Sequence, residues 1–160
     1  MQTNLSGIQI RKIQTDEINL LTEYRMAYLT EMQGERSAEF QEILKAELNR
    51  YFAEAMSENR FFAFLADLNG EILSFGAMVL KKIPGDFNQP TYLEGDILNM
   101  YTVPFARRRG ISALILERLL GEARERGVSK VSLHTSKDGE KLYRKYGFNE
   151  PHYPVLELIL

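Results

Sequence analysis

The sequence predicts an α/β fold, an α+β arrangement with one mixed sheet and helices on both faces, in the element order βααβββαβαβ. Three observations predict it. Apolar residues recur at helical spacing in the long segments and alternate in the short ones. Asn69-Gly70 joins two β-type runs, as a tight hairpin turn requires. Strand and helix patterns then interleave with no repeat, low-complexity tract or linker between them, so they are expected to share one core.

Each element follows in order. "IQIRKI" (8 to 13) reads as a short strand. "TDEINLLTEYRMAYLTEMQG" reads as a helix with a capping candidate at Asp16 and a stop at Gly34. Behind a cap at Ser37, the residues Phe40, Ile43, Leu44, Leu48, Tyr51, Phe52, Ala55 and Met56 form one stripe of a second helix. "RFFAFLADLNGEILSFGAMVLKKI" is a hairpin, because Asn-Gly tolerates the positive φ angles of its turn. "TYLEGDILNMYTV" is a further strand, and a helix runs from about Arg108 to Arg126 and ends at Gly127. "VSKVSLHT" alternates as a strand, "DGEKLYRKYG" makes a short helix, and "PVLELIL" closes as a strand.

Composition excludes several function classes. A chain of 160 residues, 44% hydrophobic, buries one sizeable core and is too short for two ordinary domains, so residues 1–160 are expected to form a single domain. A net charge of −2 provides no broad basic field for nucleic acid or an anionic membrane. With no cysteine, disulfides, thiolate metal sites and cysteine nucleophiles are excluded. The two histidines, His134 and His152, stand far apart in sequence, so no metal site is expected. "MQTNLSGIQIRKI" lacks the apolar run of a signal peptide and no stretch approaches bilayer length, so a soluble, cytoplasmic protein is expected.

The most informative stretch is "PFARRRGISALILERLL" (104 to 120). Helix starts leave backbone N–H groups unpartnered at the positive end of the macrodipole, where Asp or Glu is favoured. Arg107, Arg108 and Arg109 stand there instead, ahead of Gly110. Either they form a solvated, salt-bridged patch, or an anion such as a phosphate sits at the helix start. Neither G-x-x-x-x-G-K-[ST] nor G-x-G-x-x-G is present, which argues against ordinary nucleotide sites. A basic recognition helix for nucleic acid is disfavoured by Glu117, Glu122 and Glu125 on the same helix.

"MYTVPFARRRGIS" resembles the acyl-CoA signature of the GNAT family of N-acetyltransferases, [QR]-x-x-G-x-[GA] after a strand, here Arg107, Gly110 and Ser112. A second signature of that family, a helix reading like "lYeklGF", is matched by "KLYRKYGF" (141 to 148), and the whole element order agrees. The resemblance implies a sheet splayed between two parallel strands, 92 to 103 and 128 to 134, with acetyl-CoA in the opening as co-substrate. Backbone groups of Met100, Tyr101 and Thr102 would bind the pantetheine arm. The loop amides of Arg107, Arg108, Arg109, Gly110, Ile111 and Ser112 would bind the pyrophosphate. Ser112 departs from the usual Gly or Ala, and Ser136 stands where many members have Asn; its hydroxyl is either a cofactor contact or a helix cap.

Acetyl transfer from a thioester to an amine needs a neutral amine, donors for the developing oxyanion and a proton for the leaving thiolate. Tyr143 matches the family's tyrosine beside the CoA sulfur, and the resemblance makes it the acid; by periodicity alone it is equally a core aromatic. For the base, the resemblance makes Glu94 the first candidate, because it lies thirteen residues before Arg107, the offset at which some histone-modifying relatives have a glutamate base; Asp96 and water are the alternatives. In a regular strand Glu94, Asp96, Leu98 and Met100 share one face. The acceptor is expected to be a small-molecule or protein amine; no nucleic acid or membrane partner is expected, and a homodimer is left open. A non-catalytic acyl-CoA sensor of the same fold is the alternative function.

Overall fold

The computed structural model describes residues 6–160. Residues 1–5, part of the N-terminal stretch read above, lie outside them. The elements are β1 (Gln9–Lys12), α1 (Ile18–Gln33), α2 (Ala38–Ser57), β2 (Phe61–Leu68), β3 (Glu71–Pro84), β4 (Thr91–Thr102), α3 (Ile111–Glu125), β5 (Lys130–Ser132) and α4 (Lys137–Lys145). The five strands form one sheet in the order β1-β2-β3-β4-β5, antiparallel except for the parallel pair β4 and β5. The mixed sheet predicted from sequence is therefore present.

Two apolar layers cover its faces. Leu21 of α1 with Phe52 and Ala55 of α2 pack against Phe61, Ala63, Leu65 and Phe75. On the other face Ile111, Ile115, Leu116 and Leu119 of α3 cover Phe62, Phe64, Met78 and Ile97. The alternation of β2, with odd residues on one layer and even residues on the other, follows from the two-residue strand period. The α2 stripe is buried only in its C-terminal half: Phe52 and Ala55 are enclosed, whereas Phe40 and Ile43 are exposed.

Local chemistry explains most boundaries. The Ser37 side chain accepts a hydrogen bond from the Phe40 N–H and caps α2 as expected. Asn69 and Gly70 take φ angles of 54° and 90°, giving the two left-handed positions of a tight hairpin. Asp16 is not a cap: a 3-10 turn over Thr15–Glu17 precedes α1, closed by a reciprocal Gln14–Glu17 capping box. At Arg108 φ is +60°, so α3 cannot begin there and starts at Ile111.

The C-terminal segment differs most from expectation. "PVLELIL" pairs with no strand, and Val155, Leu156, Leu158, Ile159 and Leu160 are 70–110% exposed. Its period suits a strand, but strand formation needs a neighbouring edge for hydrogen bonding and none lies beside it. Among the described residues no helix is long and apolar enough to cross a membrane.

Candidate active site

The ladder between β4 and β5 covers only Glu94 to Asp96 against Lys130 to Ser132. From Ile97 to Thr102, β4 runs on with no strand on that side, so the sheet opens between its two parallel strands. Within this stretch β4 bulges. Its register against β3 shifts between Phe75 and Ala77, and Asn99 takes a φ of +57°. The extra residue inverts the downstream alternation: Ile97 and Met100 both pack into the α3 layer. Glu94, Asp96 and Leu98 therefore share a face, but Met100 points to the opposite one, correcting the expectation from a regular strand. Gly76 is required under this turn, because a Cβ there would collide with the Met100 sulfur and with Ile115.

The loop from β4 to α3 is braced by Arg107. Its Nε donates to the Thr102 carbonyl (2.8 Å), its guanidinium pairs with Glu31 of α1 (2.6 Å), and it lies 5.6 Å from the centre of the Tyr101 ring. That side chain is thus occupied with holding the end of β4 against α1. Arg108 and Arg109, by contrast, form no ion pair among the described residues. Arg108 and Gly110 are both left-handed, at φ +60° and +80°, an alternation that gathers backbone N–H groups into an anion-binding concavity. No side chain caps α3 and no acid occupies its first turn. A Cβ at Gly110 would meet nothing within 4 Å, so its φ is the intrachain reason for glycine there.

Ser112, the departure from the family pattern, has a local partner. Its hydroxyl lies 2.9 Å from that of Thr102, which lies 2.8 Å from that of Ser74, which donates to the Tyr101 carbonyl at 2.8 Å. This hydroxyl chain ties the first turn of α3 to the end of β4.

On α4, Ser136 is the N-cap: its side-chain oxygen accepts from the Gly139 N–H at 3.3 Å. Of its two readings, the structure displays the capping one. Tyr143 is half-buried, with its ring edge-on to Phe148 at 5.8 Å, and its hydroxyl has no hydrogen-bond partner among the described residues. Burial pushes its phenol above the ordinary value and Tyr28 adds to the shift, so Tyr143 keeps its proton at neutral pH. Gly139 leaves room for the ring, since a Cβ there would stand 3.1 Å from Tyr143 Cε2. Tyr146 differs: its hydroxyl donates to Glu117 of α3.

Neither predicted acid is free. Glu94 pairs with Lys130 at 3.1 Å and Asp96 with Lys81 at 3.0 Å. At about 3.3 Å of rise per residue, Glu94 lies roughly 16 Å along β4 from the bulge at Asn99. Glu94 stands here as an ion-pairing residue of the β4 and β5 junction. His134 is exposed, His152 stacks edge-on against Tyr153, and no cluster of metal-ligating side chains occurs among the described residues.

Sequence reading missed three residues that converge at the bulge. Glu31 was legible only as one acid among many on α1, yet it joins Arg107, and after burial it is the next cause that raises the Tyr101 phenol above its ordinary value. Arg25 of α1 donates to the Asn99 side-chain oxygen, and the Asn99 amide nitrogen is buried with no partner among the described residues. The positive φ of Asn99 was readable in principle, because Asn is enriched in left-handed positions, but nothing in the sequence marks a bulge there.

Comparison with known proteins agrees with this geometry. The model of the acetyltransferase (GNAT) family matches residues 25–148. A predicted acetyltransferase from Clostridium acetobutylicum, solved with acetyl-CoA, is 33% identical, with a TM-score of 0.82 over 95% of this chain and 96% of that one. A GCN5-related N-acetyltransferase from Ralstonia eutropha JMP134 shares the fold at 22% identity and a TM-score of 0.75, over 95% and 99% of the two chains. The glucosamine-6-phosphate N-acetyltransferase of Arabidopsis thaliana shares it at 18% identity and a TM-score of 0.68, over 94% and 97%. No curated protein matches the chain.

Proposed function

The chain belongs to the GNAT acetyltransferase family, and from that premise we propose that it moves an acetyl group from acetyl-CoA to a primary amine, with Tyr143 as the proton donor to the departing thiolate. The observation that carries this reading is the start of α3. An uncapped helix N-terminus, a left-handed Gly110 and two unpaired arginines adjoin the stretch of β4 that has no strand partner.

These residues fit acetyl-CoA. The amides of Arg107 to Ser112 would hold the pyrophosphate, and Arg108 and Arg109 would add charge without direct competition from carboxylates. The free backbone edge of Met100, Tyr101 and Thr102 would hold the pantetheine arm and supply the oxyanion donor. Acetyl-CoA supplies the acetyl group as an activated thioester. Transfer forms a C–N bond and breaks a C–S bond; the amine loses one proton and the sulfur gains one. Tyr143 holds the second of these on a hydroxyl no other side chain engages, and solvent takes the first, since Glu94 and Asp96 are paired at the far end of the strand.

A panel of amines assayed for CoA release tests the reading, with acetyl-CoA binding followed separately by thermal shift. Release with at least one amine is expected. Tight binding of acetyl-CoA with no release for any amine would replace transfer by ligand sensing, and no binding would remove both.

A further inference from the structure

Arg25 differs from the half-buried arginines that hold acids. Arg11 holds Glu17 and Asp67, and Arg126 holds Glu122. Arg25 has only the neutral Asn99 amide oxygen, and no carboxylate pairs with it among the described residues. A half-buried guanidinium without a counter-charge loses hydration that nothing in the chain restores. Asn99 beside it is 9% exposed, strained to a positive φ, and leaves its own amide nitrogen without an acceptor among the described residues. Both unmatched groups sit at the bulge, one residue from Met100. The aromatic wall continues from there: Tyr28 contacts the Tyr101 ring at 6.1 Å, and its field reaches the Tyr143 phenol.

We propose that Arg25, positioned by Asn99, anchors a carboxylate on the acceptor, so that the substrate class is a small amine bearing a carboxylate, such as an amino acid. The proposal rests on the transfer reading above. A planar guanidinium with unused parallel donors matches a carboxylate in two-point geometry. One cation balances one negative charge, whereas a phosphate dianion would call for more than the single positive side chain at this position.

The test compares amino acids with their own primary amides, which keep the amine and remove the charge. For the native protein kcat/KM should favour the acids by about 10²-fold, the scale of a charge-assisted pair. Arg25→Gln should abolish that preference by raising KM for the acids far more than for the amides, and Arg25→Lys should restore part of it. Acetyl-CoA affinity and melting temperature, measured on each variant, separate loss of the anchor from loss of the fold. Calorimetry of acids and amides against the CoA-bound protein gives a readout without turnover. Equal use or equal binding of acids and amides by the native protein overturns the anchor while transfer stands. Absence of CoA release from every amine overturns transfer instead, and the calorimetric preference then decides the anchor alone.

Discussion

Two helices start at the C-terminal side of the sheet's parallel strands, and they start in opposite ways. At α4 the chain supplies its own cap, Ser136, and places Asp138 and Glu140 in the first turn, so dipole and donors are satisfied internally. At α3 there is no cap, no acid in the first turn, a left-handed glycine and two unpaired arginines. The first start is complete without a ligand and holds Tyr143 steady. The second is stable only at some cost until an anion arrives. A helix start that local chemistry leaves unfinished points to a binding site; one that local chemistry finishes points to a scaffold.

The largest effect that can break this comparison is at Gly110. Gly110→Asp has room for its Cβ, and Asp tolerates a left-handed φ better than most residues, so the fold should survive. It places a negative charge where pyrophosphate is expected, and acetyl-CoA affinity should fall by about 10²-fold or more, as for loss of charge-assisted hydrogen bonds. Gly110→Ala controls for backbone strain. Arg108→Gln should weaken binding by less than about tenfold, because an exposed cation is screened. Calorimetry that ranked Arg108→Gln as the worse variant would replace the backbone site by a side-chain clamp.

Next in size is the residue that α4 carries. Tyr143→Phe should lower kcat by about 10²-fold, with acetyl-CoA affinity and melting temperature nearly unchanged. Tyr146→Phe, which removes a surface bond to Glu117, should keep full turnover. Equal retention of activity in both would make Tyr143 a packing residue and α4 a scaffold only.

Ser136→Ala should cost about 1 kcal/mol of stability, a shift of roughly 2–4 °C in melting temperature, and leave acetyl-CoA affinity within twofold. If affinity fell instead, the hydroxyl would be a cofactor ligand after all. The smallest effect lies at the other end of α4. Hydrogen bonds from Arg144 hold the Glu150 carboxyl at about 2, below its ordinary 4.5. Its contribution to stability is therefore fully present above the ordinary value and is lost as pH falls toward 2. Melting curves of the native chain and Glu150→Gln should differ at pH 6 and converge as pH falls through that window, and a difference that persisted at pH 2 would remove this pair from the account.

Much of the fold was legible because its signals are local. Asn69-Gly70, the Ser37 cap and the Gly127 stop each act within a few residues, and each stands where expected. The α3 boundary was misplaced because periodicity continues through Arg108 while its backbone does not. The residues proposed for the site along 100 to 112 and at Tyr143 come from contiguous motifs. The arrangement was illegible where distant segments meet. Arg25 with Asn99 and Glu31 with Arg107 lie 74 and 76 residues apart, and no spacing rule joins them. The pairing of Glu94 was illegible for the same reason, since its partner Lys130 belongs to the strand across the ladder.

The bulge at Asn99 divides β4 into two segments that are out of phase. Upstream, Glu94, Asp96 and Leu98 alternate in one frame; downstream, Met100 to Thr102 alternate in the other. A single-residue deletion at position 99 would restore one frame throughout, with Met100 and Thr102 still in phase with Ile97 in the α3 layer, and would remove the turn that receives Arg25. Point substitutions between 94 and 98 leave that downstream frame untouched. The upstream half of the strand can accordingly diverge in charge and size while the half beside α3 is held fixed, and the extra residue serves the face toward Arg25 rather than the α3 layer.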